Sequence, residues 1–304
     1  MNEQGILLES GTNELEVLVL LVDDQLFGMN VAKVQSIQKF DPELVTKLPT
    51  EIPGVSGMFL YRSKTIPLMD LAQILEIELT QEVEREIIIV TEFNNSVNSF
   101  KVQGIKRIYR LSWSELEPFD ETFENNDYFI GSVNIENSQI LIIDLEYILS
   151  KIFPDLIMED VSESVIQKQE TVTRDQLEII FADDSPTIRK GIRKTLKTAG
   201  FKDISEFKNG EVALKYILEK YGDKKEQDLH NVVLISDIEM PRMDGLTLCK
   251  NINQNQNLKN IYTIMFSSLI NKQMIAKCEN LKADACISKP DTNKLINLLD
   301  ARCQ

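Results

Sequence analysis

Four apolar, β-branched runs in the second half of the chain end in polar side chains that could do phosphoryl chemistry. In chain order these side chains are Asp183 with Asp184, Asp237, Ser267 and Lys289. Short apolar runs bounded by turn residues are typical of buried parallel strands, and the strands of an open α/β sheet present their C-terminal ends at one edge. We therefore expect three acids, a hydroxyl and an ammonium to meet at one place.

These residue types predict a phosphoacceptor site. Clustered carboxylates favour a hard divalent cation, and Mg²⁺ takes one or two carboxylates together with phosphate oxygens. Asp237 could then attack phosphorus as a nucleophile and form an acyl phosphate. The metal, Ser267 and Lys289 would offset the charge that develops on the phosphoryl oxygens.

Residues 177–304 resemble the receiver domains of two-component signalling. The stretch MPRMDG (Met240–Gly245) and the pair Lys289-Pro290 match turns of that family. The resemblance implies a flavodoxin-like, doubly wound α/β fold with a parallel five-stranded sheet, and phosphorylation at Asp237. It implies phosphoryl contacts from Ser267 and Lys289. The implied metal ligands are Asp183, Asp184, Asp237 and Glu239, the last through its backbone carbonyl.

Two features of the receiver-like half remain open from sequence. Family members usually carry Tyr or Phe three residues before the strand-end lysine, where Cys286 stands here, so the switch is expected to be quieter or differently built. A basic run on the first receiver helix is either a docking face or a solvated surface. It consists of Arg189, Lys190, Arg193, Lys194 and Lys197.

The first half, from Leu15 to Leu149, shows short β runs broken by turns, which favours hairpins within an all-β fold. Residues 15–31 and 85–105 each predict a hairpin. TIPLMDLAQIL from Thr65 and QILIIDLEYIL from Gln139 share an apolar strand, an Asp and an apolar helix, which indicates two sub-barrels. Asp70 and Asp144 at those junctions are expected to cap the helices rather than to catalyse.

This half, residues 1–157, resembles the CheW coupling family of bacterial chemotaxis. The resemblance is carried by the LFGMNV hairpin, the stretch Gly57–Leu71, an expected YFIGSV turn at Tyr128–Val133 and the closing LIIDLEYIL. It implies a double β-barrel without catalytic activity that bridges the cytoplasmic tips of chemoreceptors to the histidine kinase CheA. Arg62 occupies a characteristic arginine position of the family and is the predicted partner-binding residue, although Ser63 replaces the usual following glycine.

Residues 158–176 are polar, acidic and free of glycine and aromatic residues, which predicts a linker. A CheW-like domain followed by a receiver is the arrangement of the CheV family, which the whole chain resembles.

Charge and composition exclude several classes of function. Residues 1–155 hold 26 acidic and 11 basic residues, whereas residues 156–304 hold 22 of each. Such an acidic half disfavours nucleic acid and anionic lipid and favours protein partners. No apolar run approaches membrane-spanning length and no leader pattern is visible, so a cytoplasmic protein without direct membrane insertion is expected. The four cysteines show no C-x-x-C spacing.

The sequence thus predicts a chemotaxis adaptor, not an enzyme, that couples chemoreceptors to CheA and is regulated by phosphorylation at Asp237. Two alternatives stay open at this point. One is a phosphate sink that drains phosphoryl groups from the kinase, and the other is an aspartyl-phosphate hydrolase. The hydrolase would need a second Asp two residues after Asp237, where Glu239 stands.

Overall fold

The computed structural model describes residues 14–49, 51–80, 85–94, 96–119, 128–153, 173–223, 229–270 and 272–303. The predicted linker, residues 158–176, lies outside the described residues except for its last four. Its boundaries with the two halves therefore stay a prediction.

The first domain is built almost entirely from strands, which form two mixed sheets. In the described part these are β1 (Glu14–Val22), β2 (Gln25–Asn30), β3 (Val34–Lys39), β4 (Val45–Thr46), β5 (Val55–Tyr61), β6 (Lys64–Asp70), β7 (Ile87–Phe93), β8 (Ser96–Val102), β9 (Gly104–Ser112), β10 (Phe129–Ile135) and β11 (Ser138–Ile143). One sheet has the order β10-β11-β2-β1-β9 and the other β3-β7-β8-β6-β5-β4. These two sheets correspond to the two expected sub-barrels, and both predicted hairpins are confirmed as β1-β2 and β7-β8.

Local turn chemistry explains two further hairpins. Arg62 and Ser63 join β5 to β6, and Glu136 and Asn137 join β10 to β11, each residue with positive φ. Positive φ at both central residues is the geometry whose twist matches that of paired strands.

The expected turn at Tyr128–Val133 was wrong, because Phe129–Ile135 forms strand β10. Within this strand, the small size of Gly131 allows two backbone segments to approach closely. A Cβ on Gly131 would lie 2.5 Å from the backbone oxygen of Glu117, and Glu117 forms an isolated bridge with Ser132. A glycine within a strand often marks such a place.

Two helices of the first domain follow strands and begin at aspartates. Helix α1 (Leu71–Ile74) follows β6, and α2 (Leu145–Ile152) follows β11. The Asp70 carboxylate accepts from the Ala72 amide at 3.1 Å, and the Asp144 carboxylate accepts from the Tyr147 amide at 2.9 Å. The capping prediction is therefore confirmed at both positions.

The second domain is a doubly wound α/β fold, as predicted. Its elements are β12 (Glu178–Ala182), α3 (Pro186–Thr198), β13 (Asp203–Phe207), α4 (Gly210–Tyr221), β14 (Val232–Ser236), α5 (Gly245–Gln254), β15 (Tyr262–Ser267), α6 (Lys272–Asn280), β16 (Ala285–Ser288) and α7 (Thr292–Arg302). The sheet has the order β13-β12-β14-β15-β16, and all its pairings are parallel. Every residue of the central strand β14 is buried, which explains its uninterrupted apolar run.

The direction of chain winding reverses between β12 and β14, where doubly wound sheets leave a crevice at the C-terminal ends of the strands. The first domain packs against this edge of the sheet. The Arg242 amide donates to the Trp113 carbonyl at 3.1 Å, and the Asn94 amide donates to the Ser268 carbonyl at 3.3 Å.

Within the described ranges, no helix combines the length and the apolar character needed to span a membrane.

Candidate phosphoacceptor site

Backbone hydrogen bonds align the strand ends that carry the predicted site residues. The Asp183 amide donates to the Phe207 carbonyl at 3.1 Å, and the Asp237 amide donates to the Ala182 carbonyl at 2.8 Å. These bonds continue the parallel pairing one residue beyond the strands. The side chains that end β12 and β14 therefore emerge side by side.

Lys289 joins two of the acids. Its Nζ donates to Asp183 Oδ2 at 2.8 Å and to Asp237 Oδ2 at 2.9 Å, and all three side chains are buried. Burial alone would lower the pKa of Lys289, but the carboxylates of Asp183 and Asp237 raise it well above its usual value. The ammonium is thus a permanent positive charge inside the site.

The acids fit a divalent metal ion. One carboxylate oxygen from each of Asp183, Asp184 and Asp237 lies within 4.8 Å of the others. Burial and the neighbouring acids raise the pKa of Asp183 to about 7, against the effect of Lys289, and raise that of Asp184 well above its usual value. Excess negative charge and an all-oxygen donor set are what Mg²⁺ matches. The assignment of these acids as ligands remains a prediction.

Arg189 fixes the loop that carries two of the acids. Its guanidinium Nη1 donates to the backbone carbonyls of Asp183 at 2.6 Å and Asp184 at 2.8 Å. At the same turn the Ser185 amide donates to Asp183 Oδ1 at 2.9 Å. Arg189 therefore belongs to the site loop rather than to an independent basic face. In the sequence, the only sign of this role is that Arg189 lies one turn into the helix that follows the acid pair.

The MPRMDG stretch shapes the loop after Asp237. The Gly245 amide donates to the Ile238 carbonyl at 2.9 Å, and a Cβ on Gly245 would lie 1.9 Å from the Asp237 backbone oxygen. No side chain fits there without moving the loop. Gly245 consequently lets α5 begin directly behind Asp237.

Ser267 lies at the same edge of the sheet. It ends β15, is fully buried, and its Oγ accepts from the Leu269 amide at 3.5 Å. The Lys289 amide donates to its carbonyl at 3.0 Å, which ties the ends of β15 and β16 together. The hydroxyl is thus held near the loop end, and its contact with a phosphoryl group stays a prediction.

Glu239 turns its side chain toward the first domain. Its carboxylate accepts from Asn30 Nδ2 and lies 3.7 Å from Lys33 Nζ. Burial raises the pKa of Glu239 to about 7, against the opposing charge of Lys33. A ligand role for Glu239 would fall to its backbone carbonyl, as predicted, because the side chain is engaged elsewhere.

Sequence reasoning missed the contribution of the first domain. Glu146 Oε2 lies 3.6 Å from Lys289 Nζ, and Glu146 Oε1 lies 3.1 Å from Lys33 Nζ. Burial alone would raise the pKa of Glu146, but Lys289 and Lys33 lower it to about 2. Glu146 is therefore an ionised carboxylate beside the predicted phosphoacceptor site, although it comes from the other domain.

Asp144 lies beside this cluster. Burial and the Glu146 charge raise the pKa of Asp144 to about 6, although it also caps α2. A cavity of about 30 Å³ lies between the two domains, and residues of both domains line it. Its polar lining residues include Asn30, Lys33, Asp144, Glu146, Asp184, Asp237 and Glu239.

Two further predicted residues lie elsewhere. Arg62 is exposed at the tip of the β5-β6 hairpin, where its guanidinium lies 5.1 Å from the centre of the Tyr61 ring. Cys286 is half-buried on β16, packs with Cys278 and Cys249, and has its pKa lowered by a hydrogen bond with Cys278. A partner-binding role for Arg62 remains a prediction.

Two family models match the chain, "CheW-like domain" over residues 16–153 and "Response regulator receiver domain" over residues 179–300. The chain is 35% identical over 277 residues to chemotaxis protein CheV3 of Helicobacter pylori, covering 88% of this chain and 86% of that protein. It is 26% identical over 289 residues to CheV2 of the same organism, covering 91% and 90%. The solved structure of the scaffolding protein TtCheW from Thermoanaerobacter tengcongensis aligns with a TM-score of 0.41 at 20% identity, covering 44% of this chain and 92% of that one. The alignment with CheV3 spans both domains.

Proposed function

Because the chain belongs to the CheV family of chemotaxis proteins, we propose that it is an adaptor regulated by phosphorylation of Asp237. Its CheW-like domain couples the cytoplasmic tips of chemoreceptors to the histidine kinase CheA, and its receiver domain accepts a phosphoryl group from that kinase. In this proposal the chain is not an enzyme, since the phosphoryl group on Asp237 is a signal.

One observation carries the proposal. Lys289 Nζ lies 2.9 Å from Asp237 Oδ2 and 2.8 Å from Asp183 Oδ2, and one carboxylate oxygen from each of Asp183, Asp184 and Asp237 lies within 4.8 Å of the others. A nucleophilic carboxylate, a fixed ammonium and a pair of acids are the parts that phosphoryl transfer to aspartate requires.

The chemistry follows from the positions of these groups. A carboxylate oxygen of Asp237 attacks the phosphorus of a phosphohistidine, the P–N bond breaks, and its electron pair stays on the imidazole. The Asp237 Oδ1 atom accepts from the Ile238 amide at 2.6 Å, which orients the carboxylate for attack. Mg²⁺ held by Asp183, Asp184, Asp237 and the Glu239 carbonyl would offset charge on the phosphoryl oxygens. Lys289 then donates to a phosphoryl oxygen in place of the carboxylate oxygen it now contacts.

Coupling belongs to the CheW-like domain. Residues 1–155 carry 26 acidic and 11 basic residues, so protein faces with positive charge are the expected partners. Arg62 is an exposed cation at a hairpin tip of this domain and stands at the characteristic arginine position of the CheW family. We assign Arg62 to partner contact on that basis.

Phosphotransfer from purified, radiolabelled CheA to the full chain tests the proposal. The wild type should take up label in the presence of Mg²⁺, and Asp237→Asn should take up none. Asp203→Asn is the matched control, because Asp203 is an exposed acid at the start of β13, at the opposite end of the sheet. Label on Asp237→Asn would contradict the assignment.

Kinase output from a reconstituted complex of receptor, CheA and adaptor separates regulator from sink. A regulated adaptor containing Asp237→Asn should still support receptor control of CheA but should not respond to a small phosphodonor. If wild type and Asp237→Asn support the same output while only the wild type takes up label, the phosphate-sink alternative holds.

A further inference from the structure

Four charged residues form a continuous cluster across the domain boundary. This interdomain cluster consists of Lys33 and Glu146 from the CheW-like domain and Glu239 and Lys289 from the receiver. Glu146 lies 3.1 Å from Lys33 and 3.6 Å from Lys289, and Lys33 lies 3.7 Å from Glu239. Glu146 is 5% exposed, so its two ammonium partners replace the water that it would otherwise bind.

Glu146 and the proposed phosphoryl group need the same ammonium. Lys289 already shares its Nζ between Asp183 and Asp237, and Glu146 is its third carboxylate. A phosphoryl group on Asp237 brings about two negative charges at neutral pH and oxygens that would contact Lys289. Because Glu146 and Glu239 are both buried nearby, the added charge raises the electrostatic free energy of the docked arrangement.

The docked arrangement also blocks access. Asp237 is 3% exposed, and the cavity next to it has a volume of about 30 Å³. A cavity measured in this way needs about 10–15 Å³ to hold one water molecule, so there is room for about two. A phosphohistidine side chain on another protein is far larger, so it cannot reach Asp237 while the domains stay in contact.

Backbone bonds connect the same boundary to the loops around the site. Arg242 follows β14 and donates to the Trp113 carbonyl, whereas Ser268 follows β15 and accepts from the Asn94 amide. Arg242 and Ser268 lie in the two loops that adjoin Asp237 and Ser267. A change in either loop that accommodates a phosphoryl group therefore acts directly on the contact between the domains.

We propose that the CheW-like domain closes the phosphoacceptor site, with Glu146 acting as a positioning residue that competes with a phosphoryl group for the Lys289 ammonium. This inference deepens the proposed function and rests on it. The domains must separate before Asp237 accepts a phosphoryl group, and the phosphorylated receiver binds the CheW-like domain more weakly. By linkage, contacts that hold the domains together disfavour the phosphorylated state, and phosphorylation weakens those contacts by the same coupling free energy.

The single tryptophan reports on this boundary. Trp113 is 5% exposed, lines the cavity between the domains, and accepts from Arg242 through its carbonyl. The indole packs in the core of its own domain, and separation of the domains would bring water to the side that lines the cavity and shift its emission to longer wavelength. The full-length protein therefore carries its own probe.

The experiment follows phosphorylation of the full chain by acetyl phosphate and Mg²⁺ together with Trp113 emission. Glu146→Gln keeps the shape of the side chain but removes its charge. The variant should be phosphorylated at least about threefold faster at every donor concentration, because a larger fraction of its molecules would have separated domains and an accessible Asp237. Its emission before addition of donor should already lie to the red of the wild type. The wild type should shift to the red only after phosphorylation.

Two further variants make the test specific. Lys33→Met removes the other charge that joins the domains and should also accelerate phosphorylation, which guards against a folding defect peculiar to Glu146→Gln. Glu16→Gln is the matched control, because Glu16 is a buried acid of the same domain, 2.6 Å from Arg110 on the neighbouring strand β9. Its rate and emission should equal those of the wild type.

The outcomes separate this inference from the proposed function. Wild-type rates in both Glu146→Gln and Lys33→Met, or an unchanged Trp113 emission on phosphorylation of the wild type, overturn the closure of the site. Asp237→Asn serves as the reference in the same assay. Uptake of phosphate by that variant overturns the proposed function itself.

Discussion

Replacing Lys289 by methionine tests the electrostatics of the site most directly. Methionine keeps the volume of the aliphatic stem, so the main change is loss of one ammonium that lies 2.8, 2.9 and 3.6 Å from three buried carboxylates. Removing one partner from a buried, hydrogen-bonded ion pair costs about 3–5 kcal/mol. We expect the free energy of unfolding of the receiver domain to fall by this amount near pH 8.

The loss should depend on pH in a defined direction. Burial raises the pKa of Asp183 to about 7 in the presence of Lys289, and without Lys289 that pKa rises further. An acid with a raised pKa in the folded state makes stability fall as the pH rises from its unfolded pKa to its folded one. Lys289→Met should therefore lose less near pH 5, where Asp183 is protonated in the folded protein.

Urea unfolding followed by circular dichroism measures this change, because most helices in the described part of the chain lie in the receiver domain. Mg²⁺ at about 100 times its dissociation constant should restore about 2.7 kcal/mol, since it brings positive charge to the same acids. The control is Lys101→Met, whose ammonium lies 3.0 Å from Asp70 and 2.9 Å from Glu86 in the CheW-like domain. It should cost about 1–2 kcal/mol and gain no rescue specific to Mg²⁺. Equal rescue of both variants, or no loss in Lys289→Met, would refute this account.

Four more predictions concern the metal, the loop and the partner surface. Asp184→Asn should weaken Mg²⁺ binding at least about tenfold in calorimetry, and an unaltered titration would count against its ligand role. Wild-type Mg²⁺ affinity should fall about tenfold from pH 8 to pH 6, because the Asp183 carboxyl with its pKa of about 7 must lose its proton to bind metal; a flat profile would argue against Asp183 as a ligand. Gly245→Ala should slow phosphorylation and lower the unfolding midpoint, since its Cβ would lie 1.9 Å from the backbone oxygen of Asp237. Wild-type values for both measurements would show that the loop tolerates the side chain. Arg62→Ala should weaken capture by receptor or CheA with little change in the unfolding midpoint, whereas unchanged capture would reject the contact.

The receiver site was predictable because each of its parts is encoded locally. Every strand is an apolar run, and the side chain that matters is the residue at its end or directly beyond it, so parallel pairing alone brings Asp183, Asp237 and Lys289 together. The helix caps Asp70 and Asp144 were predictable for the same reason. Their acceptor and donor lie two to three residues apart in the chain.

The residues from the CheW-like domain were not predictable from sequence. Glu146 has a sufficient local explanation, because an acid in the first turn of a helix is favoured by the helix dipole. Nothing in its neighbours indicates that Lys289, well over a hundred positions away, lies 3.6 Å from its carboxylate. The turn expected at Tyr128–Val133 was wrong for a related reason, since the small size of Gly131 serves the approach of Glu117 from a distant part of the chain.

The balance of charge at the boundary gives Mg²⁺ and the phosphoryl group opposite effects on the domains. Six acids meet there, Asp144, Glu146, Asp183, Asp184, Asp237 and Glu239, against the two ammoniums of Lys33 and Lys289. A divalent cation reduces this negative excess without claiming Lys289, so it should leave the domains docked. A phosphoryl group adds negative charge again and also accepts a hydrogen bond from Lys289, so the ion pair between Glu146 and Lys289 is weakened. Separation should therefore follow phosphorylation and not metal binding.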